Sequence, residues 1–342
     1  MRYKDFDKMK CITMYMVVLG HVLYFLNGRE FCNSNLVTEN ILAEYIRCIQ
    51  MPAFMLISGF FFKKSVNKRK QGFLLKNIAK NIIGTAIPMI VWGISAYLIE
   101  EFGEYSITTF FSFLWNKFWY FKVLLILKFL FSFSLIFKNK NKIYILIIVC
   151  IMLNSMPSDN NFIQLNAMFP FFAIGYEVSE SKYEKILMSN INRNYLICSC
   201  ILWCGLFWFG KHLFGIYDIA LSQQLLNYKG IVSLFYSISL KTLGVYLFFE
   251  IVKILPDILN WKWGQYTIFV YPFHCIVVDL LYEKGVFNYV KNYNPIYISI
   301  RSIILASLLF LLSNILAGLI KENKFFALAF LGKFPMRGAK EN

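Results

Sequence analysis

Three histidines occur in 342 residues, and two of them, His21 and His274, fall inside long apolar runs. Ionisable side chains are costly in such runs, so an embedded imidazole is a candidate for chemistry, with proton transfer near neutral pH the first to consider. His21 closes the stretch Lys10 to His21, KCITMYMVVLGH. If this stretch is helical, its eleven-residue step makes about three turns and sets Lys10 and His21 on one face, about 16 Å apart. Asp7, fourteen residues before His21, falls near the same face. A basic group at a membrane surface with an imidazole far below it suits a charged donor held at its head and reacting at its tip. Gly20 lets a helix or ligand come close to His21. The same position also suits a histidine that only hydrogen-bonds a neighbouring helix.

Other side chains stand out less sharply. His274 lies midway along YTIFVYPFHCIVV and either faces the same cavity as His21 or cross-links helices. In Met51 to Phe62, MPAFMLISGFFF, Pro52 removes a backbone donor and Ser58-Gly59 offers a small face for close packing. Glu44 and Arg47, at i and i+3, either pair with each other or hold a polar acceptor near the outer surface. Lys76 and Lys80 open the third apolar segment. They either snorkel to anionic headgroups or seat a polyanionic donor. Glu100 opens an acidic stretch that reads as a loop, and Lys117 reads as a loop cation. The eight cysteines include no C-x-x-C pair and lie mostly in apolar runs, where Cys acts as a small hydrophobe. No metal site is expected from them. P-loop, G-x-G-x-x-G, H-E-x-x-H and G-x-S-x-G patterns are absent.

The elements that position these groups are membrane spans. The chain is 58% hydrophobic and 19% aromatic, above the roughly 45–50% apolar content of soluble domains. Ten stretches approach the length a span needs. They lie near 11–27, 41–62, 73–99, 119–137, 143–156, 162–179, 195–210, 231–252, 264–283 and 296–320. The reading is an all-α polytopic membrane helix bundle, one domain over 1–342, with a retained first span and no internal repeat. With both termini cytoplasmic, inside segments carry 22 Lys and Arg against 6 in outside loops. That bias follows the positive-inside rule, and it accounts for most of the +16 net charge without nucleic acid.

Four stretches together resemble acyltransferase family 3, the integral membrane O-acyltransferases, and especially the bacterial branch that acts on surface sugars. FDKMKCITMYMVVLGHV is similar to the family's opening, a basic residue and a His with ten residues between them, here Lys10 and His21. MPAFMLISGFFFKK resembles the second-span signature, MFPFFAIGYEV a P-F-F-x-x-G-Y stretch, and YTIFVYPFHCIVV a late segment that commonly ends in His, here His274. Lys10 stands where the family often has Arg, Gln50 where a His often precedes M-P, and Lys76 and Lys80 where Arg is frequent. The resemblance implies transfer of an acyl group, usually acetyl, from cytoplasmic acyl-CoA to a hydroxyl of a glycan or lipid-linked sugar. Acetyl-CoA would be a co-substrate, with no permanently bound cofactor, and the protein would be multi-pass in the plasma membrane. It further implies donor binding by Lys10, Lys76 and Lys80, with His21 as general base or acyl carrier. Asp7, Glu44, Arg47, Ser58 and His274 would support the acceptor side. The rival class is a transporter or flippase for a polar lipid or sugar. Such proteins often carry internal repeats, which this chain lacks. A membrane scaffold would leave the embedded bases without a task.

Overall fold

A computed structural model describes residues 4–26, 41–67, 74–100, 106–136, 163–189, 192–214, 228–256, 261–286 and 295–334. The protein is all-α: among these residues there are helices, one 3-10 turn at Trp261–Gln265 and no strand. In chain order the helices are α1 Lys4–Leu26, α2 Ile41–Asn67, α3 Leu74–Glu100, α4 Ile107–Lys117, α5 Trp119–Ile136, α6 Ile163–Val178, α7 Ser181–Met188, α8 Arg193–Phe214, α9 Tyr228–Ile254, α10 Thr267–Glu283, α11 Pro295–Ile320 and α12 Lys324–Leu331. Each expected span but the fifth coincides with one of them. The fifth, 143–156, lies outside the described residues.

Helices suit this composition because a helix satisfies its own backbone in lipid. By length and apolarity, Tyr45–Val66, Leu74–Glu100, Phe235–Ile254 and Ile296–Ile320 can each cross a membrane. So can α4 and α5 taken as one span, broken at Phe118 and bent by 78°. The pattern on α11 shows which solvent surrounds it. Ile300, Ile304, Leu308, Leu311, Ile315 and Leu319 are exposed, three or four residues apart, and so form one stripe. Ser302, Ala306, Ser313, Asn314 and Ala317 on the other side are buried. Large apolar side chains outward and small or polar ones inward is the arrangement of a helix in lipid.

The chain divides into two contact units, with divisions inside α1, α2, α3 and α5. In the first, residues 1–9, 48–78 and 123–258, Phe6 stacks on Phe60 at 4.5 Å and lies 5.1 Å from Phe249. There α2 and α6 meet backbone to backbone at two glycines: a Cβ on Gly59 would strike Phe172 O, and one on Gly175 would strike Leu56 O. The small face around Ser58-Gly59 is thus a packing face. Just beyond this contact, Lys63 Nζ donates to Glu180 at 2.8 Å and Lys64 Nζ to Glu184 at 2.5 Å.

In the second unit, residues 10–47, 79–122 and 259–342, α10 packs on α11 and α12. The Tyr15 hydroxyl lies 3.0 Å from Ser307 Oγ, tying α1 to α11. Trp92 Nε1 on α3 donates to Phe330 O at 3.3 Å, and its ring meets Phe269 edge-on. Gly332 ends α12 with φ 63°, a conformation open to glycine, and its Cα faces Gly84 O of α3. These contacts hold the part of α1 from Lys10 onward and α10 in one unit, and those segments carry the two histidines.

Candidate active site

His21 on α1 and His274 on α10 touch, although 253 residues separate them. His274 Nε2 lies 2.9 Å from His21 Nδ1, and the rings are 4.9 Å apart between centroids. His274 is fully buried and His21 partly so. The second nitrogen of His274, Nδ1, is 2.7 Å from Val270 O. A carbonyl oxygen only accepts, so His274 Nδ1 carries a proton and donates it. In neutral His274, Nε2 is then an acceptor, and His21 Nδ1 must be the donor to it. Neutral His21 therefore keeps its lone pair on Nε2. One backbone carbonyl thus sets, through two rings, which nitrogen of His21 keeps its lone pair. Pro272, inside α10 two residues before His274, interrupts the backbone ladder just there. Tyr271 packs edge-on against His274, with centroids 5.9 Å apart, which limits rotation of that ring.

Cys275 Sγ lies 3.5 Å from His21 Nδ1 and 3.7 Å from His274 Nε2. The two nitrogens and the sulfur fall within 4.8 Å of one another, a grouping that could hold a soft transition metal. Two nitrogens on one tetrahedral zinc, each at about 2.0–2.1 Å, would stand roughly 3.3 Å apart. The observed 2.9 Å is a direct hydrogen bond.

A second polar cluster sits further along α10. Lys117 Nζ, at the end of α4, donates to Asp279 Oδ2 at 2.8 Å and to Glu100 Oε2. All three side chains are largely buried, so the charges are paired because unpaired ones would be costly there. Asp279 follows His274 by five residues, about 7.5 Å along the helix axis. Sequence reading placed Glu100 in a loop and Lys117 among loop cations, but Glu100 is the last residue of α3 and Lys117 the last of α4. Residues 101–105 lie outside those described. The available signal was Asp279 itself, an acidic residue one turn beyond Cys275 in an otherwise apolar run.

A family model described as an acyltransferase domain, that of acyltransferase family 3, matches residues 3–322. The chain belongs to acyltransferase family 3. No curated protein and no solved structure matches it. The match runs through both histidine-bearing helices and both glycine contacts, so all four sequence stretches that resemble the family fall inside it.

In this membrane acyltransferase, the other residues singled out by sequence are placed as follows. Lys10 is partly buried on α1, three turns from His21. Lys76 and Lys80 are exposed in the first turns of α3, and Lys80 Nζ lies 5.1 Å from the centre of the Phe334 ring. Asp7 is buried on α1 and Ser58 half-buried on α2, both in the first contact unit. Arg47 is half-buried on α2. Glu44 lies on the same helix, with its side chain outside those described. Of the residues expected from sequence, His21 and His274 are brought into direct contact. Cys275, Glu100, Lys117 and Asp279 were not foreseen.

Proposed function

We propose that this acyltransferase moves an acyl group, usually acetyl, from cytoplasmic acyl-CoA to a hydroxyl of a cell-surface polysaccharide or lipid-linked sugar in the plasma membrane, with His21 as the reacting base. The observation that carries the reading is the His21–His274 hydrogen bond with its tautomer set by Val270 O. It leaves His21 Nε2 as a lone-pair nitrogen held in one orientation, which general-base and nucleophilic catalysis both require.

In direct transfer, Nε2 takes the hydroxyl proton while the oxygen attacks the thioester carbonyl carbon. The C–S bond breaks, and the proton passes from the imidazolium to the leaving CoA thiolate. In the covalent route, Nε2 attacks the thioester carbonyl carbon and the C–S bond breaks to release the CoA thiolate. The hydroxyl oxygen then attacks the acyl carbon, the C–N bond breaks to return the Nε2 lone pair, and the hydroxyl proton passes to the thiolate. His274 accepts the His21 Nδ1–H bond throughout and helps hold the imidazolium that forms. Lys10, three turns toward the cytoplasm, and Lys80, with Lys76 one turn before it on the same helix, supply positive charge for the CoA phosphates. Spacing supports this assignment, since a long acyl arm can bridge a phosphate seat and a reacting nitrogen about 16 Å deeper.

The test is the ester content of surface glycans from cells with and without this chain. Loss of one O-acyl ester, restored by the wild-type chain and not by His21→Ala, is the expected result. An unchanged ester profile rejects the acceptor class.

A further inference from the structure

The Glu100–Lys117–Asp279 cluster has an open valence. Lys117 takes up Glu100 Oε2, yet Glu100 Oε1 is buried with no hydrogen-bond partner among the described residues. The Glu100 side chain is only 9% exposed, so this is a buried carboxylate oxygen offering an acceptor. The cluster holds two carboxylates and one ammonium, so a hydrogen-bond donor is attracted and an anion repelled. Its position fits the dyad. Asp279 is one and a half turns beyond His274 on α10. In the ten-span layout with the N-terminus inside, α1 and α10 both run outward. Lys10 then lies inward of the histidines and the ion cluster lies outward.

We propose that this cluster is the seat of the acyl acceptor, a neutral hydroxyl-rich sugar. One hydroxyl donates to Glu100 Oε1, which orients the ring so that a neighbouring hydroxyl reaches His21 Nε2. Donor and acceptor then approach the dyad from opposite ends, and neither has to pass the other. The charge balance selects against uronic and sialic acids, whose carboxylate would face Glu100 and Asp279. This assignment rests on the acyl-transfer reading above, and its test separates the two.

The purified protein in lipid nanodiscs is given labelled acetyl-CoA and a panel of methyl glycosides of glucose, galactose, mannose and N-acetylglucosamine, with the methyl uronates of the first three. At least one neutral glycoside is acylated in a His21-dependent way, and its uronate is a poorer acceptor. Glu100→Gln raises KM for that glycoside by about tenfold or more with a smaller change in kcat, as expected where a buried acceptor loses its matched hydroxyl. Glu100→Asp keeps the ion pair but withdraws the oxygen by one methylene, and it raises KM in the same direction if the glutamine variant does not fold. CoA binding and thermal melting report that each variant is intact. His21-dependent CoA release with no neutral glycoside acylated overturns the acceptor seat alone. So does equal use of the uronates, or an unchanged KM in a folded Glu100 variant. Absence of His21-dependent CoA release overturns the enzyme reading as well.

Discussion

At the scale of single residues, the protonation pattern of the two histidines turns on Val270 O, an atom with no reactivity of its own. It holds the Nδ1 proton of His274, and His274 in turn holds the Nδ1 proton of His21. Removing the His274 ring leaves His21 free to rotate and to change tautomer. His274→Ala should lower kcat for acyl transfer roughly ten- to hundredfold, with KM for acyl-CoA nearly unchanged. His274→Gln, whose side-chain carbonyl can accept the same His21 proton, should recover part of that loss. Steady-state kinetics with labelled acyl-CoA checks both, and equal losses in the two variants would point to packing instead of proton position. Each histidine was legible in sequence because an imidazole in an apolar run is conspicuous. Their hydrogen bond was not, since nothing in residue types encodes a contact across 253 positions. Glu100, Lys117 and Asp279 were hidden for a different reason. Each lies near the end of a helix, where a charge reads as ordinary interfacial polarity.

At the scale of elements, two glycines let α2 and α6 touch. Gly59 and Gly175 each press against the other helix's backbone, at Phe172 O and Leu56 O. Backbone cannot swing aside as a side chain can. Gly175→Ala should therefore destabilise the folded protein by about 1–3 kcal/mol, in the range of overpacked sites. Gly205 on α8 has nothing within 4 Å of its absent Cβ and serves as the control. Gly205→Ala should leave the melting temperature level or slightly raised, since Ala is the better helix former. Thermal melting in detergent of the two variants gives the comparison, and equal behaviour would contradict the close approach. The helices were legible from apolar run length, and Ser58-Gly59 was legible as a small packing face. That its partner is the P-F-F-x-x-G-Y stretch was not, because either glycine alone permits approach by any neighbour. The Phe-rich stretch after residue 105 gave no warning of a separate helix either. Apolar residues continue through Phe118, whose ring is buried, and the break there has no Pro or Gly to announce it.

For the whole molecule, the solvent is lipid, and α11 states this most clearly. Its exposed stripe is Ile and Leu, while the Ser, Ala and Asn residues named above are on its buried side, with Ile298, Leu309 and Phe310. Ile304→Lys puts a charge on that stripe and should cost about 3 kcal/mol of insertion free energy. The inserted fraction in a membrane-integration assay reads this, and the reverse change at exposed Lys324 beyond the span, Lys324→Ile, should not reduce it. The central claim is narrower than membrane residence: acyl transfer runs through the Nε2 nitrogen of His21. The most direct measurement is acceptor-dependent CoA release from acetyl-CoA by purified wild type and His21→Ala, both shown to be folded by thermal melting. Release falling to background in the variant, with CoA still bound, is the outcome expected. A folded His21→Ala protein that turns over at near the wild-type rate would contradict it.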